Sequence, residues 1–299
     1  MKIYLGMPRG FCAGVVRAID IVELALDKFG PPVYVKHQIV HNTYVVTDLE
    51  RKGAITVEDV SDIPLGSTVV FSAHGSPPED FKKAKEQHLT IIDATCPLVT
   101  KVHNEAKKYA KEGRKLMLVG HRGHQEVKGT MGQYPMFLVD DREEIESPNW
   151  SPSTPVAVLT QTTLSVDDTE KSINRIKSQF PDTVVRNDLC YATTNRQSVV
   201  KQLCTMVDLL LVVGSENSSN CNRLRDVALS NGVTAHLING PNDLNLDWIT
   251  DVDKIGITSG ASTPESLVQE VISFLNPSSV ITIEGPKEDI EFVLPKGLG

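Results

Sequence analysis

The sequence predicts an α/β protein made of three related units with mainly parallel sheets, in a pseudo-threefold arrangement around a shared centre. Two observations lead to this fold class. Short β-branched runs alternate with helical stretches along all 299 residues, and three cysteines recur at a spacing of about one small domain. Several runs are apolar throughout, as is typical of parallel strands covered on both faces. The predicted strands are 2–5, 33–36, 68–72, 90–93, 115–119, 156–160, 209–213 and 254–259.

Three cysteines mark the same position in each unit. Cys12, Cys96 and Cys190 each follow a predicted strand and directly precede a predicted helix. Those helices cover 13–30, 97–113 and 191–207. At a nearly constant offset from the cysteines come His41, His124 and Ser218. A further polar loop follows in each unit, at 73–76, 160–163 and 259–263.

These repeats predict the domain boundaries. The units are expected to cover 1–95, 96–189 and 190–276. The tail, 277–299, is expected to form two short strands around a Gly-Pro turn and to pack back on the first unit. The alternative is that the regular offsets are a coincidence, since any α/β protein has regularly spaced strands.

Composition excludes several function classes. The net charge of −8 argues against nucleic-acid binding, which usually needs a basic face. No apolar run reaches the roughly 18 residues that cross a bilayer, and Pro8 to Gly10 interrupt any signal-peptide core. We therefore expect a cytoplasmic protein with reduced thiols. Nothing in the sequence indicates a dimer interface, so a monomer is expected.

The three repeated cysteines suit a metal centre. Ligands of parallel α/β sheets bind beyond the carboxyl ends of the strands, where a helix N-terminus favours a thiolate. A structural zinc ion and a [4Fe–4S] cluster both normally take four protein ligands. Three thiolates would leave one iron of a cluster open to a substrate oxygen. The alternative for each cysteine is a place in the core.

The other two cysteines are interpreted differently. Cys204 lies at helical spacing with Val200, Leu203 and Val207, which indicates a core position. Cys221 begins a helix beside a polar loop. It could be a fourth ligand, a reactive thiol or a small substitute for serine, and we favour the last.

The polar loops predict a site for a small, compact anion. Backbone N–H groups, hydroxyls and imidazoles at helix N-termini bind phosphate well. There is no Walker sequence and no GxGxxG, so a nucleotide cradle is not expected. His124 and Glu126 could bind an anion and deliver a proton. Alternatively, Glu126 is an ordinary first-turn carboxylate. The loop residues are His41, Asn42, His74, Gly75, Ser76, His124, Thr162, Thr163, Ser218, Ser219, Asn220 and Ser262.

Nine motifs are spread along the chain: GFCAGVVRAI, KHQIVHN, SAHGSPPE, DATCPLVTKVH, GHRGHQEVKGTMGQ, LTQTTLSVDDT, DLCYATTNRQ, GSENSSNCNRL and SGASTPE. In this order they resemble the IspH/LytB family of 4-hydroxy-3-methylbut-2-enyl diphosphate reductases. The resemblance extends from residue 3 to about residue 295. It implies an oxidoreductase of the non-mevalonate isoprenoid pathway, which removes the allylic hydroxyl with two electrons and two protons. The products are isopentenyl and dimethylallyl diphosphate.

The resemblance also implies a trefoil of three α/β domains around a 4Fe-4S cluster in which one iron is not bound by cysteine. Its ligands would be Cys12, Cys96 and Cys190. Glu126 would deliver the proton, Thr162 would orient the hydroxyl, and a ferredoxin or flavodoxin would donate electrons. The diphosphate would be bound by His41, His74, His124, Ser218, Ser219, Asn220 and Ser262.

One position departs from the family pattern, because Cys221 stands where a serine is expected. Two other functions remain as alternatives. A non-redox iron–sulfur hydro-lyase would need no reductant. An iron–sulfur sensor or phosphate-ligand-binding protein would bind its ligand without consuming it.

Overall fold

The computed structural model describes residues 1–143 and 148–298. Every paired strand runs parallel to its neighbours, in three separate sheets, which confirms three parallel α/β units. The strands are β1 (Lys2–Met7), β2 (Val33–Lys36), β3 (Ala54–Val57), β4 (Thr68–Phe71), β5 (Thr90–Asp93), β6 (Lys115–Val119), β7 (Met136–Val139), β8 (Val156–Thr160), β9 (Thr183–Val185), β10 (Leu209–Val213), β11 (Thr234–Ile238), β12 (Lys254–Ser259) and β13 (Ser279–Glu284).

The helices follow the strands as the sequence predicts. All three helices predicted after the cysteines form, within a few residues of the expected ends. The helices are α1 (Ala13–Phe29), α2 (Thr43–Arg51), α3 (Pro78–Glu86), α4 (Pro97–Lys111), α5 (Gln125–Met131), α6 (Val166–Gln179), α7 (Tyr191–Leu203), α8 (Ser219–Ser230) and α9 (Glu265–Leu275). Among the described residues, none of these helices is long and apolar enough to cross a membrane.

Sheet order explains which strands the sequence predicts. The sheets run β11-β10-β12-β1-β13, β3-β2-β4-β5 and β7-β6-β8-β9. All eight predicted strands form. Four other strands that lack a long apolar run, β3, β7, β9 and β11, each lie at a sheet edge. An edge strand pairs on one side only, so it needs less continuous apolar sequence than a central one.

The first strand and the tail share one sheet. Strand β1 pairs with β12 and with β13, and Ile3 stands opposite Ile255 in the register. The second strand predicted for the tail is wrong, because residues 285–295 contain no strand. This part of the tail is held by side chains instead, among them Glu288, which pairs with Arg196 at 2.9 Å.

Contacts divide the chain into two compact bodies. The first body comprises Met1–Val15, His41–Val45 and Cys190–Glu291. It contains the five-stranded sheet, whose two faces are covered by separate apolar clusters: Leu209 and Leu211 belong to one, and Leu210 and Val212 to the other. This alternation is the period of two expected of a strand buried on both faces.

The second body comprises Val16–Val40, Val46–Leu189 and Phe292–Gly299, of which residues 144–147 and 299 lie outside the described part. It contains both four-stranded sheets. In one of them Met117 and Val119 face one apolar cluster, while Leu116 and Leu118 face another. The buried sheets give rigid supports for the loops at the carboxyl ends of their strands.

Candidate active site

Two of the repeated cysteines lie in the first body, at helix N-termini. Cys190 caps α7: its Sγ accepts a hydrogen bond from the Thr193 N–H at 3.4 Å. The next residue, Tyr191, accepts a hydrogen bond at its hydroxyl from the N–H of Ala13 at 3.0 Å. The starts of α1 and α7 are therefore joined, one residue beyond Cys12 and Cys190.

The environment of these cysteines is partly buried and polar. Burial raises the pKa of Tyr191 to about 12, and the neighbouring Cys12 and Cys190 act in the same direction. Burial also raises the pKa of the Cys12 thiol, while the N–H of Val15 and the Arg196 guanidinium oppose that rise. A bound metal ion would favour the thiolate form of Cys12 here.

Cys96 has the corresponding place in the second body. It is the N-cap of α4, with Pro97 at the first helical position, where proline is favoured. Its N–H donates to the carbonyl of Ala73 at 3.0 Å, which ties the start of α4 to the loop after β4. The parallel sheet thus places Cys96 at the carboxyl end of β5.

The donor set fits an iron–sulfur cluster. All three cysteines are half-buried at helix starts. Soft thiolate ligands select iron–sulfur clusters, zinc or copper(I) over hard cations. In the described part of the chain, the buried Nε of Arg196 has no hydrogen-bond partner. A buried cation with a spare N–H near Cys12 suits an anionic, sulfide-containing group.

The predicted anion-binding loops of the first body lie together. The Ser262 hydroxyl donates to the carbonyl of His41 at 3.0 Å. The Asn220 side-chain oxygen accepts from the N–H of Ala261 at 3.0 Å. Ser218 caps the twelve-residue α8, and Ser219 is the first residue of that helix. One group of contacts therefore joins three loops at a helix N-terminus, where anions bind favourably.

Cys221 fills the space beneath these loops. Its side chain is fully buried, and its N–H donates to Ser218 Oγ at 3.3 Å. A Cβ built on Gly214 or Gly260 would lie 2.3 or 2.1 Å from the Cys221 sulfur. Burial raises the pKa of this thiol. The geometry fits a small core residue in place of serine and gives no support to a reactive thiol.

The second body holds the other residues predicted to bind an anion and the predicted acid. The His74 and His124 rings pack edge to face, with centroids 6.1 Å apart. The two rings can meet because α5 packs closely on the loop after β4. Gly129 makes this close packing possible, since a Cβ there would lie 2.8 Å from the carbonyl oxygen of Gly75. His124 caps α5, and its Nδ1 accepts from the N–H of Glu126 at 3.2 Å.

Glu126 and Thr162 form a buried pair. The Glu126 carboxylate accepts from the Thr162 N–H at 2.7 Å and from the Thr162 hydroxyl at 2.9 Å. Glu126 is only 3% exposed. Burial raises the pKa of Glu126 to about 7, against the opposing effect of both Thr162 hydrogen bonds. A carboxyl group with this pKa can hold and release a proton at neutral pH.

The comparisons with known proteins agree with the motifs. A family profile described as LytB protein matches residues 3–276. The chain belongs to the LytB family. The 4-hydroxy-3-methylbut-2-enyl diphosphate reductase 2 of Bradyrhizobium diazoefficiens is 52% identical to it, over 100% of this chain and 99% of the relative. Reductase 1 of Rhodopseudomonas palustris is 51% identical, over 99% of each chain.

Solved structures of the LytB family share the fold. The E-1-hydroxy-2-methyl-but-2-enyl-4-diphosphate reductase from Plasmodium falciparum superposes with a TM-score of 0.96 and 40% identity, over 99% of this chain and 96% of that one. A second structure, described as the terminal enzyme of the non-mevalonate pathway, has a TM-score of 0.67 and 31% identity, over 92% and 99%. The resemblance and the fold class are confirmed.

Three residues of this LytB-family chain were missed by sequence reasoning. Arg196 and Tyr191 lie in the motif that begins α7, but no spacing rule distinguishes them from ordinary helix residues. Asp188 is buried at the end of the preceding loop, with Lys101 Nζ at 3.5 Å. Burial raises the pKa of Asp188, and this charge in turn contributes to the raised pKa of Glu126. The charge of Asp188 therefore acts on the Glu126 carboxyl.

Proposed function

We propose that this chain is a 4-hydroxy-3-methylbut-2-enyl diphosphate reductase. It reductively removes the allylic hydroxyl and gives isopentenyl and dimethylallyl diphosphate. The observation that carries the proposal is the buried Glu126–Thr162 pair, within a chain similar to such reductases along its whole length. The reaction consumes two electrons and two protons and releases water.

The cofactor in this proposal is a 4Fe-4S cluster held by Cys12, Cys96 and Cys190, with one iron not bound by cysteine. The support is chemical: three half-buried cysteines lie at helix starts, and a buried cation, Arg196, lies near one of them. When bound, the cluster would supply electrons and an open, Lewis-acidic iron.

Substrate binding is proposed for the loops at the strand ends. His41, Ser218, Ser219, Asn220 and Ser262 offer hydroxyl, amide and imidazole groups at the start of α8. His74 and His124 supply two imidazoles of the second body. Such groups bind a diphosphate through hydrogen bonds and the helix dipole, without the cost of burying many fixed cations.

Proton delivery is proposed for Glu126. At pH 7 about half of these carboxyls carry a proton, because burial raises the pKa to about 7. The Thr162 hydroxyl, 2.9 Å from the Glu126 carboxyl, lies within reach to pass on that proton and to orient a substrate hydroxyl. His124 fixes the start of α5 and with it the Glu126 backbone.

The electron donor is proposed to be a ferredoxin or flavodoxin, and a donor with an acidic surface would dock on a basic one. Two grooves of about 540 and 410 Å³ flank α4, the helix that starts after Cys96. Within the described part of the chain, the only carboxylates that line them are Asp93 and Glu105. We call this lining the basic face; its cations are Arg17, Lys82, Lys85, Lys101, Lys107 and Lys108.

The test is an anaerobic assay with reduced methyl viologen. Adding 4-hydroxy-3-methylbut-2-enyl diphosphate to the cluster-loaded protein should bleach two viologens per substrate consumed. Substrate loss without bleaching would indicate a hydro-lyase instead. Binding without any conversion, by protein shown to hold its full iron and sulfide, would indicate a sensor or binding protein.

A further inference from the structure

A fully buried guanidinium lies behind the Cys12 loop. Arg196 is 0% exposed and ranks among the largest fully buried side chains of the described residues. It lies on α7, the helix that Cys190 caps. Burying a charge without a partner is very costly, so the contacts of Arg196 indicate what it does.

Arg196 joins three chain segments of the first body. Its Nη2 donates to the carbonyl of Gly10 at 2.9 Å. Its Nη1 donates to the carbonyl of Ala192 at 3.0 Å and to the Glu288 carboxylate at 2.9 Å. The guanidinium thus links the helix that begins at Cys190, the loop that leads to Cys12, and the C-terminal tail.

The Gly10 peptide is held on both sides. Gly10 has a φ of +72°, a conformation that favours glycine. Its N–H donates to Ser259 Oγ at 2.8 Å, and its carbonyl accepts from Arg196. Two residues later, the N–H of Cys12 donates to the carbonyl of Ala261 at 3.1 Å. Without Arg196, the Gly10 carbonyl in the loop before Cys12 would lose its hydrogen-bond donor.

The tail supplies the counter-charge. Glu288 lies beyond residues 3–276, the part that the LytB profile matches. Its carboxylate is 13% exposed and accepts from Asn195 Nδ2 at 3.2 Å as well as from Arg196. Just before Glu288 the tail is tightly packed, because a Cβ on Gly285 would lie 2.3 Å from a Val199 methyl group.

We propose that Glu288 and Arg196 are positioning residues for the iron–sulfur cluster. Arg196 fixes the Gly10 carbonyl, and thereby the Cys12 loop, and places a positive charge beside the Cys12 ligand. Glu288 orients that guanidinium and offsets part of its charge. The inference rests on the proposed function, because it assigns the pair to the cluster that Cys12 would hold.

The charges predict opposite shifts in the cluster's midpoint potential. Glu288→Gln removes a negative charge and so favours the reduced cluster, which raises the potential. Arg196→Gln removes the positive charge and lowers the potential. Arg196→Lys keeps the charge but cannot make the same set of contacts. It should leave the potential close to that of the unchanged protein and speed iron release about tenfold.

The experiment uses the cluster-loaded protein under anaerobic conditions. Redox titration followed by electron paramagnetic resonance gives the potential, and transfer of iron to a chelator gives the release rate. The control is Glu291→Gln, an exposed carboxylate three residues along the same tail. Circular dichroism establishes that each variant is folded. If Arg196→Gln does not fold, the shift in midpoint potential of Glu288→Gln alone tests the predicted direction.

Two results would overturn the inference. One is a Glu288→Gln protein that matches Glu291→Gln in both potential and iron release. The other is a potential that shifts in the same direction when either member of the pair is neutralised. A failure of the proposed function is separate: the unchanged protein would then hold its cluster without oxidising viologen when substrate is added.

Discussion

Among single residues, Glu126 has the environment best suited to chemistry. Because burial raises its pKa to about 7, the protonated form that donates is lost as the pH rises through 7. We expect turnover at saturating substrate to fall above about pH 7. Glu126→Gln should lower kcat by about 100-fold or more while leaving substrate binding nearly unchanged. Anaerobic viologen assays across pH test both; normal turnover by the glutamine variant would remove Glu126 from the mechanism.

The same residue predicts how stability depends on pH. Its pKa is about 7 in the folded protein, against 4.5 for an ordinary glutamate, so the folded state binds the proton more tightly. The stabilisation from the protonated carboxyl is therefore present below pH 4.5 and lost as the pH rises to 7. Relative to Glu126→Gln, the free energy of unfolding should fall by about 3 kcal/mol across this range. Urea titrations of both proteins measure it, and parallel pH profiles would contradict it.

The thiol of Cys221 predicts a compensating pair of substitutions. A Cβ on Gly260 would lie 2.1 Å from its sulfur, so Gly260→Ala should cost about 1–3 kcal/mol of stability. Adding Cys221→Ala makes room and should recover part of that loss. A double-mutant cycle in urea gives the coupling energy. Additive effects of the two substitutions would show that the sulfur does not occupy this space.

How well the sequence predicts single residues depends on what distinguishes them. Cys12, Cys96 and Cys190 could be predicted as ligands because a reactive residue type recurs at strand ends. Arg196 was missed, because an arginine in a helix is usually exposed and its burial depends on a glutamate far along the chain. Long-range pairing of this kind leaves no local pattern.

Among secondary-structure elements, α5 shows where packing overrides propensity. Gly129 is inside this helix, and alanine there should stabilise an isolated helix by up to about 1 kcal/mol. In the protein the added Cβ would lie 2.8 Å from the Gly75 carbonyl oxygen. We therefore expect Gly129→Ala to destabilise the fold and to weaken diphosphate binding, because the His74 loop must shift. Lys128→Ala, on the exposed side of the same helix, is the control. Calorimetric titration with inorganic diphosphate and thermal unfolding are the measurements, and a stabilised variant would refute the packing argument.

The strands show which elements a local sequence pattern can predict. The apolar runs at 209–213 and 156–160 predicted β10 and β8 with their observed ends, since both faces of a central strand are buried. Edge strands such as β11, with His236 in it, have mixed sequences and were missed. Local pattern could not predict the pairing of β1 with β12 either, because β12 follows β1 by about 250 residues.

At the scale of the whole molecule, a net charge of −8 makes the basic face unusual. An acidic donor would be repelled by most of the surface and attracted here, which orients it toward α4 and Cys96. Lys85, Lys107 and Lys108 are exposed on this face. Their triple replacement by glutamine should raise the KM for reduced flavodoxin about tenfold at low salt, since each exposed charge contributes about 0.5 kcal/mol.

The matched control removes three positive charges from α6, with Lys171, Arg175 and Lys177 replaced by glutamine; all three are exposed. Both triple variants change the net charge equally, so only a local effect of the basic face can separate them. The difference should vanish at about 0.5 M salt, where the Debye length is only a few ångströms. Turnover with methyl viologen, which needs no protein docking, should be the same in both. An equal rise in KM for the two variants would mean that the donor senses overall charge and docks elsewhere.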